Sequence, residues 1–209
     1  MHERSECVSA QAGLVLASAS AGRAAILRGA GLEFRQRSAD IDERALEAEA
    51  APGGYVDAGR LAPMLAAAKA RDVSAREPAA LVIGADQVME CGGTLFHKPA
   101  TVEAAREQLI QLRGKTHSLN AGLCVAKGGT VLWRHLDRAH LTMRDFSDDF
   151  LDFYCRSEGE TLLRTVGVYR IEGPGIQLFS KIEGDHHTII GLPLLPLLGY
   201  LREIGWLAA

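Results

Sequence analysis

The sequence predicts an α/β protein, and three stretches carry the prediction. Leu81-Val82-Ile83-Gly84-Ala85-Asp86-Gln87-Val88-Met89 is an apolar run with β-branched residues around its centre, which reads as a largely buried strand. Leu14 to Ala17 is a short apolar strand that passes through small residues into a helical run. Thr116 to Ala126 and Val131 to Met143 are long strands joined at Lys127-Gly128-Gly129, the pattern of an antiparallel hairpin.

Within the first strand, Asp86 is the anomaly. A lone carboxylate in a buried strand costs several kcal/mol unless it is paired, hydrogen-bonded or metal-bound. Gly84 and Ala85 leave room beside it for something to approach.

The totals bound the rest. At 209 residues, 47% hydrophobic and 23% charged, the chain can bury a substantial core. A net charge of -3 gives no electrostatic footprint for duplex nucleic acid or an anionic membrane, so any phosphate-binding cations must be local. Cys7, Cys91, Cys124 and Cys155 show no C-x-x-C and no regular spacing, and read as reduced thiols. The N-terminus lacks an uninterrupted apolar core of signal-peptide length, and no later stretch reaches the about 18 apolar residues of a membrane span. The expectation is a soluble cytoplasmic protein with a disordered leader over residues 1–13 and a single domain over 14–209.

In chain order, Ser18-Ala19-Ser20-Ala21-Gly22-Arg23 leads into a helix over Ala24 to Ala30 that Gly31 stops. A strand, a small-residue loop and a helix start make a place where backbone N–H groups receive an anion. Ser20 is positioned to cap that helix. Arg23 beside the positive end of the helix dipole points to an anionic partner. Leu32 to Arg37 is a second strand candidate, leading into the acid cluster Asp40-Ile41-Asp42-Glu43. Ala50-Ala51-Pro52-Gly53-Gly54 breaks helix. Leu61 to Val73 is an Ala-rich helix with Lys69 near its apolar stripe.

After the central strand, Cys91-Gly92-Gly93 is a hairpin turn, and Thr94-Leu95-Phe96 returns His97-Lys98-Pro99 to near the level of Asp86. Thr101 caps a helix over Val102 to Leu112. The long hairpin is expected to bury one face and leave the other for a partner. Ser147 and Asp148 open a helix with Phe150, Phe153 and Tyr154 at core spacing. Gly167 to Gly175 mixes strand residues with a turn holding Glu172, and Ile176 to Ile182 is a further strand. Glu183-Gly184-Asp185-His186-His187 turns the chain, with the two histidines read as loop residues, not metal ligands. A closing helix runs from Gly191 to Ile204.

No phosphate-binding P-loop, dinucleotide fingerprint, nucleophile elbow or zinc-protease motif is present. What recurs is three cations, Arg23, Lys69 and Lys98, each next to a turn or helix end, together with carboxylates at Glu43 and Asp86. Cations for phosphate oxygens and carboxylates for a hard divalent ion are the parts of phosphoryl chemistry.

Ser18-Ala-Ser20-Ala-Gly-Arg23, Asp40-Ile-Asp-Glu43, Ala68-Lys69-Ala70, Gly84-Ala-Asp86-Gln87-Val88, Lys98-Pro99, Gly114-Lys-Thr-His117, Glu172-Gly-Pro-Gly175, Ile182-Glu-Gly-Asp185 and Gly191-Leu-Pro193 resemble the ordered blocks of the Maf family of nucleoside triphosphate pyrophosphatases. The resemblance covers nearly the whole chain from Leu14 to Gly205. It implies an elongated α/β fold, a mixed β-sheet flanked by helices related to the inosine triphosphate pyrophosphatases, in a cytoplasmic homodimer. It implies a house-cleaning hydrolase that needs a divalent cation, Mg²⁺ or Mn²⁺, and converts a nucleoside triphosphate and water to the monophosphate and pyrophosphate. Asp86 falls on the catalytic carboxylate, placed to activate water or hold the metal, and Glu43 on a carboxylate acting through the metal. Arg23, Lys69 and Lys98 fall where the family grips the triphosphate, and Ser18 and Ser20 line the same loop. The family's tie to septum formation leaves a second reading, a nucleotide-binding regulator with little turnover; a third, a phosphatase on mononucleotides, would release free phosphate.

The chain departs from the family's commonest form at Ala21-Gly22-Arg23, where Pro-Arg-Arg is usual, so one phosphate or base contact is missing or supplied elsewhere. Gln87 and Glu172 match the branch acting on 7-methyl-GTP, whereas the dTTP and UTP branch has Thr and Gln there; Gly22 matches neither. Guanine offers N1–H and an exocyclic amine, which an acceptor-only carboxylate such as Glu172 suits, and methylation at N7 adds positive charge that it also favours. The expected substrate is a guanine-type or modified purine triphosphate.

Overall fold

In the computed structural model, which describes residues 13–51 and 57–208, the chain builds a 7-stranded mixed sheet packed by helices on both faces. The strands are β1 (Leu14–Ala17), β2 (Arg35–Gln36), β3 (Leu81–Cys91), β4 (Thr94–Phe96), β5 (Thr116–Lys127), β6 (Thr130–Met143) and β7 (Phe179–Glu183). Their order is β2-β1-β3-β5-β6-β7, with β4 paired to β3. β1 runs parallel to β2 and β3, and the other pairings are antiparallel. The predicted α/β class and mixed sheet are therefore observed.

β3 is the sheet's centre, and its alternation divides the molecule. Leu81, Ile83 and Ala85 face a cluster with Leu14, Leu16, Leu27, Leu123, Leu197 and Leu201, which covers that face with helices α1 (Ala21–Gly29) and α7 (Leu194–Glu203). Val82, Gly84 and Asp86 face helix α3 (Ala58–Arg76), which the sequence marked only over Leu61 to Val73. A Cβ on Gly84 would stand 2.1 Å from Ala66 O, and one on Gly122, opposite Asp86 in β5, would stand 2.4 Å from Ala62 O. The room beside Asp86 is thus taken by the backbone of α3. Small residues at 62, 66 and 70, one per turn of helix, make that approach possible.

Further along, helix α4 (Val102–Leu112), capped by Thr101, and helix α5 (Asp148–Glu158), capped by Ser147, close a second core around Met89, Leu119, Leu141 and Phe146. Both glycine hairpins form as expected, with positive φ at Gly92, Gly93, Gly128 and Gly129.

Several elements differ from expectation. The Leu32 to Arg37 strand shrinks to Arg35–Gln36 because only this stretch reaches an edge of β1. Phe153 is exposed at 53%, since α5 packs through Leu151, Tyr154 and Cys155 instead. β5 is buried on both faces and offers none to a partner; β6 alternates. Residues 165–173 contain no strand, and a 3-10 turn over Pro174–Leu178 precedes β7. The segment at Asp185 is a helix N-cap, not a turn: its carboxylate accepts from His187 N and Thr188 N, opening helix α6 (His186–Ile190). Gly191, at φ +107, ends α6, so the closing helix starts only after Pro193. The expected leader over 1–13 lies, except for Gly13, outside the described residues, as does most of the 50–54 breaker.

Two outcomes follow from this packing. Gly122→Val forces the α3 backbone off the sheet and is expected to lower the unfolding free energy by about 2–3 kcal/mol in a urea titration. His117 of β5 is 1% exposed, and burial, reinforced by His140, lowers its imidazole pKa from 6.5 to about 4. The unfolded chain therefore binds the extra proton between those pH values, so stability is full above about 6.5 and lost as pH falls toward 4. Denaturant midpoints between pH 7.5 and 4 should fall less steeply for His117→Gln than for the parent chain.

Candidate active site

β1 ends at Ala17, and the chain passes through Ser18, Ala19 and Ser20 into α1. Ser20 is the N-cap, its Oγ accepting from Arg23 N at 3.3 Å, as expected. Ser18 Oγ accepts from Ser20 N at 3.3 Å and from Arg23 Nη1 at 3.0 Å. Arg23 also donates through Nη1 to Ala85 O at 2.9 Å and through Nε to Gly191 O at 2.9 Å. The guanidinium thus ties α1 to β3 and to the end of α6. Burial lowers its pKa, and the charges of Asp86 and Glu43 oppose that. Its Nη2 has no protein acceptor among the described residues, which leaves that nitrogen for an anion.

On the other face, Asp86 and Lys69 meet. Lys69 Nζ donates to Asp86 Oδ1 at 2.5 Å and lies 2.8 Å from Glu43 Oε1. Their side chains are 12% and 10% exposed for Lys69 and Asp86 and 53% for Glu43. Lys69 is therefore a buried ion-pair partner and not a snorkelling surface cation. The acid cluster has divided: Asp40 N is held by Asp72 of α3, Asp42 caps helix α2 (Glu43–Ala50), and Glu43 reaches the lysine. One ammonium holds two carboxylates, each of which keeps its second oxygen without a protein partner among the described residues.

Gln87 projects to the opposite side of β3 from Asp86. Its Nε2 donates to Thr188 O at 2.9 Å and Ile189 O at 3.1 Å, so its donors are spent on α6 and only its carbonyl oxygen is left. Lys98 lies exposed in the loop after β4 and makes no hydrogen bond or ion pair among the described residues. Beside it, His97 Nε2 lies 3.4 Å from Glu47 of α2. Glu172 is exposed and lines a cleft of about 440 Å³ with Gly22, Ala25, Ile26, His186, His187 and Ile190.

The sequence thus named residues that converge on two connected places: Ser18, Ser20, Arg23, Glu43, Lys69 and Asp86 around the end of β1 and the middle of β3, and Glu172 in the cleft over α1. It missed the walls of the cleft. His186 and His187, read as loop residues, stand beside Glu172, and Gly22 has a physical reason: a Cβ there would lie 3.0 Å from Ile190 Cγ2. The residue that departs from the commonest pattern therefore lies at the contact of α1 with α6 and lines the cleft. The only sequence signal for this was the pairing of a glycine where a long side chain is usual with two adjacent histidines.

Arg23→Lys keeps the charge, but an ammonium does not span Ser18 Oγ, Ala85 O and Gly191 O together. The variant is expected to lose about 1–3 kcal/mol of stability in urea, from buried carbonyls left without donors.

A family model described as Maf-like protein matches residues 13–204. The chain is 53% identical over 190 residues to a "7-methyl-GTP pyrophosphatase" from Brucella abortus, covering 91% of this chain and 95% of that one. It is 49% identical over 192 residues to a protein of the same name from Rhizobium etli, covering 92% and 96%. It is 47% identical over 190 residues to a "Nucleoside triphosphate pyrophosphatase" from Nitrobacter winogradskyi, covering 91% and 93%. With a serine-capped helix start, an Arg23 anchored beneath it and a lysine-bound Asp86 all falling inside the matched range, this chain belongs to the Maf-like protein family.

Proposed function

We propose that the protein is a nucleoside triphosphate pyrophosphatase, hydrolysing its substrate to the monophosphate and pyrophosphate, with a guanine-type base preferred and 7-methyl-GTP the leading candidate. The observation that carries the reading is the Lys69–Asp86 pair beside Arg23 and the N-terminus of α1. A carboxylate stripped of most solvent and fixed by an ammonium through one oxygen has its other oxygen available as a proton acceptor. Cations and helix N–H groups adjoining it supply what a triphosphate needs.

In this reading Arg23 Nη2, the amides at the start of α1 and the unpartnered Lys98 hold the phosphate oxygens. Asp86 takes the proton of the attacking water, which adds to phosphorus as the anhydride bond breaks and pyrophosphate departs. Lys69 holds Asp86 and Glu43 side by side. Glu43 and Asp86 fit a hard divalent cation, Mg²⁺ or Mn²⁺, since each retains an oxygen. Among the described residues no cluster of three or more potential ligand side chains forms, so phosphate and water oxygens would complete the shell. When bound, the cation supplies charge neutralisation of the triphosphate.

The cleft receives the base. Its floor is apolar, with Ala25, Ile26 and Ile190, and Glu172 offers acceptors to the N1–H and exocyclic amine of guanine. Gln87 contributes by holding α6, whose histidines wall the cleft, more than by reading the base through donors it has already spent. The names borne by the Brucella and Rhizobium relatives support the same base. Among the described residues no helix is long and apolar enough to cross a membrane. A cytoplasmic setting and a homodimer belong to the proposal on the strength of the family resemblance.

Pyrophosphate release is the test, measured with Mg²⁺ or Mn²⁺ across 7-methyl-GTP, GTP, ITP, dTTP, UTP and ATP. Asp86→Asn is expected to lower kcat by about 10²–10⁴ while nucleotide still binds, and a chelator to remove turnover in the parent enzyme. Preference for dTTP or UTP would leave the hydrolase and overturn the base; free phosphate as product, or full activity in Asp86→Asn, would overturn the reaction.

A further inference from the structure

The segment carrying Glu172 has almost no backbone ladder to hold it. Between the 3-10 turns Gly159–Arg164 and Pro174–Leu178, its regular support is reduced to single turn bonds such as Gly173 N to Arg170 O at 3.3 Å. Yet it holds a conformation that resists relaxation. Val168 has φ +54 and is the only non-glycine residue with positive φ among the described residues, and it is β-branched and fully buried. Such a conformation persists only where the surroundings over-determine it.

Those surroundings are side chains. Tyr154 of α5 donates its hydroxyl to Val168 O at 3.1 Å. Thr165 Oγ1 accepts from Tyr169 N at 3.1 Å and donates to Tyr169 O at 3.0 Å. His117 Nε2 and Tyr169 Oη lie 2.7 Å apart, both residues buried, and the Tyr169 ring meets Phe179 edge-on at 4.7 Å. Gly175 completes the grip, since a Cβ there would stand 2.6 Å from Arg170 O. The Gly114-Lys-Thr-His117 block, which the proposed chemistry leaves without a role, thus reaches the Glu172-Gly-Pro-Gly175 block through one tyrosine.

We propose that His117 and Tyr169 are positioning residues for base selection: their buried contact locks the strained turn at Val168 and so fixes where Glu172 enters the cleft. Neither touches the nucleotide. The inference rests on the reading of Glu172 as the base-contacting carboxylate. Burial keeps the imidazole neutral and the phenol protonated across the working pH range, so the pair is a fixed strut with no switching function.

The experiment measures kcat and KM for 7-methyl-GTP, GTP, dTTP and UTP in the parent enzyme, Tyr169→Phe, Glu172→Gln and the double variant, with His117→Gln as a second route to the same lesion. Tyr169→Phe preserves the ring packed on Phe179 and removes only the hydroxyl. The expected result is a rise of about 5–20-fold in KM for the preferred base with kcat within about twofold, a collapse of the preference ratio toward that of Glu172→Gln, and no further loss in the double variant. A changed preference in Glu172→Gln with an unchanged one in Tyr169→Phe and His117→Gln overturns the strut alone, as does additivity in the double variant. An unchanged preference in Glu172→Gln overturns the reading of Glu172 and, with it, the strut's role in selection. Equal losses of kcat on every base would likewise reject positioning in favour of general destabilisation.

Discussion

The structure depends on how closely one helix lies against the sheet. α3 is pressed onto β3 and β5 at Gly84 and Gly122, where no side chain intervenes and the helix backbone itself is the neighbour. Layers that pack through side chains from both sides stand well apart, about 10 Å for two stacked sheets. Removing the side chains from one side brings Lys69 within reach of a carboxylate that belongs to the sheet's central strand. The glycines therefore act on the chemistry without touching it. Burying Asp86 against an apolar helix would be strongly unfavourable, and burying it against this helix delivers its counter-ion.

A second consequence concerns the two sides of β3. Alternation sends Asp86 toward α3 and Gln87 toward α6, while Ala85 just before them offers its carbonyl to Arg23. One dipeptide thus organises the reaction centre and the wall of the cleft from opposite faces. Arg23 joins them, since its acceptors lie on the first loop, on β3 and at the end of α6. Its guanidinium geometry suits this role because the planar fork donates in several fixed directions at once.

The cleft is less rigidly specified. Its floor comes from α1 and α6, which pack through Gly22 and Ile190, and its acidic rim comes from a segment held by side-chain hydrogen bonds. In the proposed reading the phosphate end is built from a helix start and a strand end, and the base end from two helices with one turn at its rim. That division suits the proposed chemistry: every triphosphate presents the same oxygens, whereas bases differ, and a turn such as the one carrying Glu172 tolerates the substitutions that distinguish them.

Much of this was legible in the sequence because it is local. Alternating and continuous apolar runs marked β1, β3, β5, β6 and α4, glycine pairs marked both hairpins, and Ser20, Thr101 and Ser147 marked helix starts, since each signal acts within a few residues. Asp86 betrayed itself as a charge inside an apolar strand, and Arg23 as a cation at a helix N-terminus. What required the tertiary structure was everything decided between distant segments. Periodicity could not say that Gly84 would admit a helix and not a ligand, that Phe153 would face water, or that Asp185 would open a helix. Nor could it join His117 to Tyr169 across 52 positions. Local sequence sets the energy of local backbone and cap geometry; which buried groups become neighbours is set by packing, where space, charge and hydrogen bonds from separate elements must be satisfied together.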